Sequence, residues 1–322
     1  MTSLKHFLVA LAFVAVPALA QHAASYPNKA IRIIVPFTPG SATDIVARLV
    51  GEKLNAAWGE PVIVENRPGA GGTIGIAQTA KADPDGYTLV VVSTGHVVNY
   101  VLYKDLPYDT LKDLAGVAPL ASLPSVLVVS SGLGVRSVKE LVAAAKARPG
   151  ELNYGTAGVG SAAHINSEKF NVAAGIQAVH VPLKGTPPIL TETMGGRVHF
   201  AWVPSVSSMG LLKDGKLVAL AVSTPARIAA LPEVPTIAEA GFPGGEFNFW
   251  VGLLAPAKTP RDIVARLNAE INRALRSPEM IDRLAKLGGE PMSMNAPQFD
   301  AFIRQEYELL GKLMRDAGAK PQ

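Results

Sequence analysis

The chain contains no cysteine, which excludes disulfides, thiolate metal sites, a cysteine nucleophile and a sulfur-linked lipid anchor. It has only six histidines, scattered along its length, and none falls at a metal-pair spacing such as H-E-x-x-H. No metal or cofactor is expected. Charge is sparse: 17% of residues are charged and the net charge is +4, too little and too evenly spread for a nucleic-acid binder. Beyond residue 20 no stretch of about 18 residues runs without a charge, a proline or several glycines, so no membrane-spanning helix is expected there.

What is present is apolar bulk. Hydrophobic residues make up 48% of 322 positions, enough for large cores, and the length suggests about two domains. Residues 1–20 read as an address. Lys5 and His6 precede the apolar run Phe7–Ala15, Pro17 breaks it, and Ala18-Leu19-Ala20 is a small-x-small cleavage site. That three-part pattern is a secretory signal peptide, too short an apolar run for a bilayer anchor. Processing is expected near Gln21, with export to a periplasm.

From there strands and helices alternate. Ala30–Val35 is a β-branched run stopped by Pro36, followed by a helical pattern over Asp44–Leu54. Thr88–Ser93 (TLVVVS) and Ser125–Ser130 are wholly apolar in their middles, as strands buried on both faces of a parallel sheet are. Strand, glycine-rich turn and helix recur at Asn153–Ala174 and at Gln177–Met194, and the last third turns helical. The pattern predicts an α/β protein with mostly parallel sheets and a helical C-terminus. Boundaries are expected near Pro124 and near Pro243–Glu246. They give a discontinuous first domain, 26–124 with 247–322, and a second domain, 125–246.

Ligands of open α/β sheets sit beyond the carboxyl ends of strands, so three loops stand out. The first, Pro36–Asp44, includes Phe37, Thr38, Gly40, Ser41 and Ala42. Its small residues let backbone N–H groups approach an anion at a helix N-terminus, or simply make a strand–helix turn. It matches neither nucleotide-phosphate motif. The second, Gly155–His164, includes Thr156, Gly160, Ser161 and Ala162. Ser161 stands where an N-cap falls, and its hydroxyl serves the helix end, a ligand, or both. Ser161 with His164 also suggests a hydrolase nucleophile and base, although G-x-S-x-G is absent. The third is Ser93–His96, where Thr94 and His96 either face a ligand or are structural. Lys184 is read either as a carboxylate partner or as a solvated lysine. Two facing helix N-termini suit a molecule with an anionic group at each end, held in a cleft between domains.

Taken in order, the segments resemble the tripartite tricarboxylate transporter substrate-binding proteins, the Bug-type periplasmic receptors. The resemblance covers about Tyr26 to Gly318. It rests on Ile33–Phe37, on Gly40 with Asp44 and Arg48, on Val64–Gly72 and on Asp83–Leu89. It continues through Gly155–Ser161 with His164, Lys184-Gly185, Leu231–Gly241 and Trp250–Pro260. The family implies a two-domain, type 2 Venus-flytrap receptor with no catalytic activity. It also implies a partner permease of one large and one small membrane subunit; a monomer is expected. One ligand carboxylate is implied near Phe37–Ala42 and the other near Thr156 and Gly160–Ala162. Two departures stand out. Ser41 replaces the second glycine usual in the first loop. Val203 stands, by ungapped alignment, where amino-acid-binding members tend to carry an aspartate. Together with the anion-favouring loops, this predicts an amine-free carboxylate, a dicarboxylate or an aromatic acid. A ligand sensor for signalling is the alternative to transport.

Overall fold

The computed structural model describes residues 26–316 and residue 321. The leader expected over residues 1–20 lies outside the described residues. The chain begins with β1 (Ile31–Val35), α1 (Ala42–Trp58), β2 (Val62–Asn66), α2 (Thr73–Ala80), β3 (Thr88–Ser93), the short α3 (Asn99–Leu102) and the long β4 (Leu114–Leu123). Pro124 then carries it directly into β5 (Ser125–Ser130). After α4 (Val138–Ala147) come β6 (Asn153–Thr156), α5 (Ala162–Ala174), β7 (Val179–Pro182), α6 (Thr186–Met194), β8 (Phe200–Pro204), α7 (Ser205–Lys213) and β9 (Leu217–Val222). The remainder is β10 (Phe249–Pro256), α8 (Arg261–Leu275), α9 (Pro278–Lys286), β11 (Glu290–Pro291) and α10 (Ala296–Asp316).

These strands form two sheets, six-stranded in the order β11-β4-β10-β3-β1-β2 and five-stranded in the order β7-β6-β8-β5-β9. The first sheet draws on both ends of the chain: β10 inserts between β3 and β4, and α8 and α10 pack on β4. Its core centres on Ile33, Val90, Val92, Trp250 and Phe299, all fully buried. The second sheet is covered on both faces. Phe170, Phe200 and Trp202 fill one side with Leu141, while Val126, Ile189 and Val203 fill the other.

The sheets are mixed, not mostly parallel as the sequence pattern predicts. β1 is parallel to β2 and β3, and β6 to β7 and β8, each pair linked through helices. β10 is antiparallel to β3 and β4, and β5 to β8 and β9. The reason is topological. A parallel neighbour needs a helical crossover within one sheet. β5 and β10 instead arrive from the other lobe and run against their neighbours. Among the described residues no helix is long and apolar enough to cross a membrane.

Candidate functional site

β1 ends at Pro36, and the chain turns through Gly40, whose φ of +80° is a left-handed value that glycine adopts without strain. Ser41 is the extended residue at the α1 cap position. The buried Asp44 carboxylate accepts the Gly40 N–H at 2.9 Å, the Asn66 amide at 2.9 Å and two nitrogens of Arg48. Burial raises its pKa, but hydrogen bonds from Arg48, Gly40 and Asn66 outweigh this and hold it below the ordinary carboxylate value. Asp44 is thus neutralised within its own loop. The first-turn N–H groups of α1 remain without helical acceptors, as at any helix start.

The other lobe supplies the matching structure. β6 runs into a loop with Gly158 and Gly160 at φ +106° and +77°, and Ser161 caps α5 by accepting the His164 N–H at 3.3 Å. A third helix, α6, begins at Thr186 directly after the loop of Lys184 and Gly185.

The two lobes touch through backbone and small side chains. The Thr38 N–H donates to the Lys184 carbonyl at 3.3 Å, and the Ser207 hydroxyl to the Gly40 carbonyl at 3.2 Å. Tyr103 donates its hydroxyl to the Val159 carbonyl at 2.8 Å. Glycines make the approach possible: a Cβ on Gly95 would lie 2.3 Å from the Gly160 carbonyl oxygen, and one on Gly71 1.9 Å from that of Val159. Between the closed lobes is a cavity with about 30 Å³ of free volume, lined from one side by Phe37 and the start of α1 and from the other by the starts of α5 and α6. Ser93, Ser125, Trp202, Pro204 and Phe249 complete most of its wall, and no charged side chain lines it among the described residues. A larger open groove of about 650 Å³, lined by Arg136, Lys213 and Glu239 among other residues of the second lobe, shares no residue with this cavity.

Five of the sequence-predicted residues, Phe37, Ser41, Ala42, Ser161 and Ala162, line the cavity. Thr38, Gly40 and Gly160 lie in the loops beside it, as does Lys184, whose carbonyl meets Thr38 while its side chain is exposed. Four others are placed elsewhere. Thr94 is fully buried and uses its hydroxyl twice, donating to the Asn248 carbonyl and accepting the Trp250 N–H, so it fastens the turn after β3 to β10. His96 turns away into a separate cavity of about 190 Å³ with Thr110, Asp300 and Arg304, its ring stacked on Tyr108 and burial pushing its pKa down to about 4. The Thr156 hydroxyl is engaged by His180 Nε2 at 2.6 Å and by the Gly158 N–H. Val203 faces the lobe core opposite Val126, because strand alternation gives the cavity side to Trp202 and Pro204.

Several cavity residues were not among the predicted ligand contacts. Thr43 lay inside the first loop, and Trp202 and Pro204 at a strand's carboxyl end, where the same topological rule pointed. Ser125 and Phe249 carried no signal, since each matters only because it follows a crossing between lobes. The Ser161–His164 pair is not catalytic in form. The Ser161 hydroxyl accepts from the His164 main chain, while the His164 ring accepts the Gly160 N–H and stacks on His180 at 4.6 Å. Among the described residues no base addresses the hydroxyl.

Two lobes meeting around a largely apolar, uncharged cavity beside helix N-termini have the form of a solute-binding receptor. Residues 46–319 match the family described as tripartite tricarboxylate transporter family receptor, and the chain belongs to that family. It is 36% identical over 314 residues to Protein BugT of Bordetella pertussis, covering 97% of this chain and 95% of that protein. Among solved structures, R. palustris Rpa4515 with adipate superposes with a TM-score of 0.90 at 35% identity, covering 92% of this chain and all of that one. MatC from Rhodopseudomonas palustris with bound malate gives 0.83 at 31% identity, covering 89% of this chain and 99% of that one. The protein is a periplasmic-type substrate-binding receptor, not an enzyme.

Proposed function

We propose that this receptor captures a small amine-free carboxylate, most simply a dicarboxylate with an aliphatic or aromatic body. The observation that carries the reading is the meeting of three helix N-termini, those of α1, α5 and α6, at a cavity lined by no charged side chain. Helix N-termini offer unpaired N–H donors and the positive ends of their dipoles, which favour anions. An ammonium group buried there would have no carboxylate partner, at a cost of several kcal/mol. The adipate and malate of the two solved relatives are of the same chemical class and support the reading.

In this reading the leader is removed near Gln21 and the mature receptor works as a monomer in the periplasm. It delivers its ligand to a permease of one large and one small membrane subunit. The ligand-binding residues are Phe37, Ser41, Ala42, Ser161 and Ala162, with backbone groups of the Thr38–Gly40 and Gly160 loops beside them. Calorimetry against dicarboxylates, citrate, aromatic acids, monocarboxylates and acidic amino acids tests it. Binding of at least one amine-free acid is expected. Binding of aspartate or glutamate alone, or of uncharged solutes alone, would overturn the reading.

A further inference from the structure

Two side chains in the cavity wall have polar atoms that the fold leaves unused. Thr43, in the first turn of α1, is 2% exposed, and its Oγ1 has no hydrogen-bond partner among the described residues. Trp202, at the carboxyl end of β8 in the other lobe, is fully buried, and its Nε1 likewise has none. Both atoms are shut off from solvent. Buried polar groups are nearly always paired, because one left unpaired forfeits its hydration without return. Ser41 and Ser161 of the same wall differ: Ser41 accepts the Thr186 N–H, and Ser161 accepts the His164 N–H.

We propose that Thr43 and Trp202 are ligand-contacting residues, one from each lobe, and that Trp202 sets the receptor's preference for an acceptor over an amine. The inference rests on the carboxylate reading above. An indole N–H donates and cannot accept. A carboxylate oxygen satisfies it; an ammonium brought to the same place sets donor against donor. The Thr43 hydroxyl donates to the same ligand from the α1 side. Because the two groups belong to different lobes, one ligand engages both only in the closed form, so the pair couples recognition to closure. This assigns the rejection of amines to Trp202 and not to Val203, whose side chain lies in the lobe core.

The test is calorimetry with succinate, adipate, malate, phthalate and aspartate on the wild type, Thr43→Val, Thr43→Ser and Trp202→Phe. For whichever amine-free diacid binds, affinity is expected to fall about ten- to hundredfold in Thr43→Val and Trp202→Phe, as for a hydrogen bond to a charged group. It should stay within about threefold in Thr43→Ser, which keeps the hydroxyl. Trp202→Phe should also narrow the gap between diacid and aspartate. Normal diacid binding with both Thr43→Val and Trp202→Phe within twofold of wild type overturns this inference and leaves the carboxylate reading standing. No diacid binding by the wild type overturns both. Should Trp202→Phe fail to fold, ¹⁵N-indole spectra of the wild type decide, with the Trp202 signal assigned by elimination through Trp58→Phe and Trp250→Phe. A downfield shift of that N–H on saturation with the diacid is expected; an unmoved signal overturns the role of Trp202.

Discussion

The Ser41 hydroxyl accepts a hydrogen bond from the Thr186 N–H at 3.3 Å, tying the cap position of α1 in one lobe to the first residue of α6 in the other. The same hydroxyl lies 3.4 Å from that of Thr38. The departure from glycine that stood out in the sequence is therefore a bridge across the closed cleft.

Replacing Ser41 by glycine should remove that bridge while leaving the first-loop backbone in place. One hydrogen bond is worth about 1 kcal/mol, and losses of this kind fall mostly on dissociation. Stopped-flow displacement of a bound dicarboxylate should show release about five times faster. An unchanged release rate would mean that the bridge does not hold the closed form.

Gly95 offers a sharper block to closure. A Cβ there would meet the Gly160 carbonyl oxygen at 2.3 Å and the Ala162 nitrogen at 3.0 Å, both in the other lobe. Gly95→Ala should fold with a nearly unchanged melting temperature yet bind at least about tenfold more weakly, a loss of about 1.4 kcal/mol. Small-angle scattering should show the wild type compacting with ligand and the variant failing to do so. Compaction equal to wild type would show that the lobes do not close through this contact.

Ser161 both caps α5 and lines the cavity. Ser161→Ala is expected to weaken carboxylate binding by about 1–3 kcal/mol, with a smaller loss of stability from the cap. Ester or amide turnover by the wild type that disappeared in this variant would revive the hydrolase alternative.

Three histidines, His96, His164 and His180, are held to about 4, chiefly by burial, from an ordinary 6.5. A lowered histidine pKa means that the unfolded chain takes up the proton first. Their contribution is therefore complete above about pH 6.5 and is lost as pH falls toward 4. Asp300 and Glu306, raised by burial, act in the opposite sense at acid pH. Urea unfolding should give a lower midpoint at pH 5 than at pH 7, with a smaller difference in His96→Gln. An identical pH dependence in the variant would contradict a buried, neutral His96.

Export is checked separately. N-terminal sequencing of protein from the periplasmic fraction should begin near Gln21, and an intact Met1 there would refute cleavage.

Much of the architecture was legible because it is local. β-branched runs such as Thr88–Ser93 and the Ser161 cap depend on neighbours close in sequence. What could not be read is set by distant pairings. Nothing near Phe249–Pro256 announces that it will lie antiparallel between β3 and β4. The site divides in the same way. Phe37 and Ser161, which line the cavity, were singled out through their loops, whereas the placement of Trp202 over Val203 on its wall depends on which face of β8 meets the cleft. His96 stayed open between ligand contact and structural residue, because only the fold shows that its turn carries the ring into a separate cavity, stacked on Tyr108.

The meeting of main-chain helix ends also bears on how such receptors diversify. A backbone N–H is encoded by almost any codon, so single substitutions seldom erase the helix-end donors of this pocket. Inherited change in the body of the solute accepted can instead run through Phe37 and Phe249, the large side chains of the wall that carry no hydrogen-bonding group. On the carboxylate reading, a lineage can therefore move between organic acids of different bodies by altering these two positions while its hold on the carboxylate is carried forward intact.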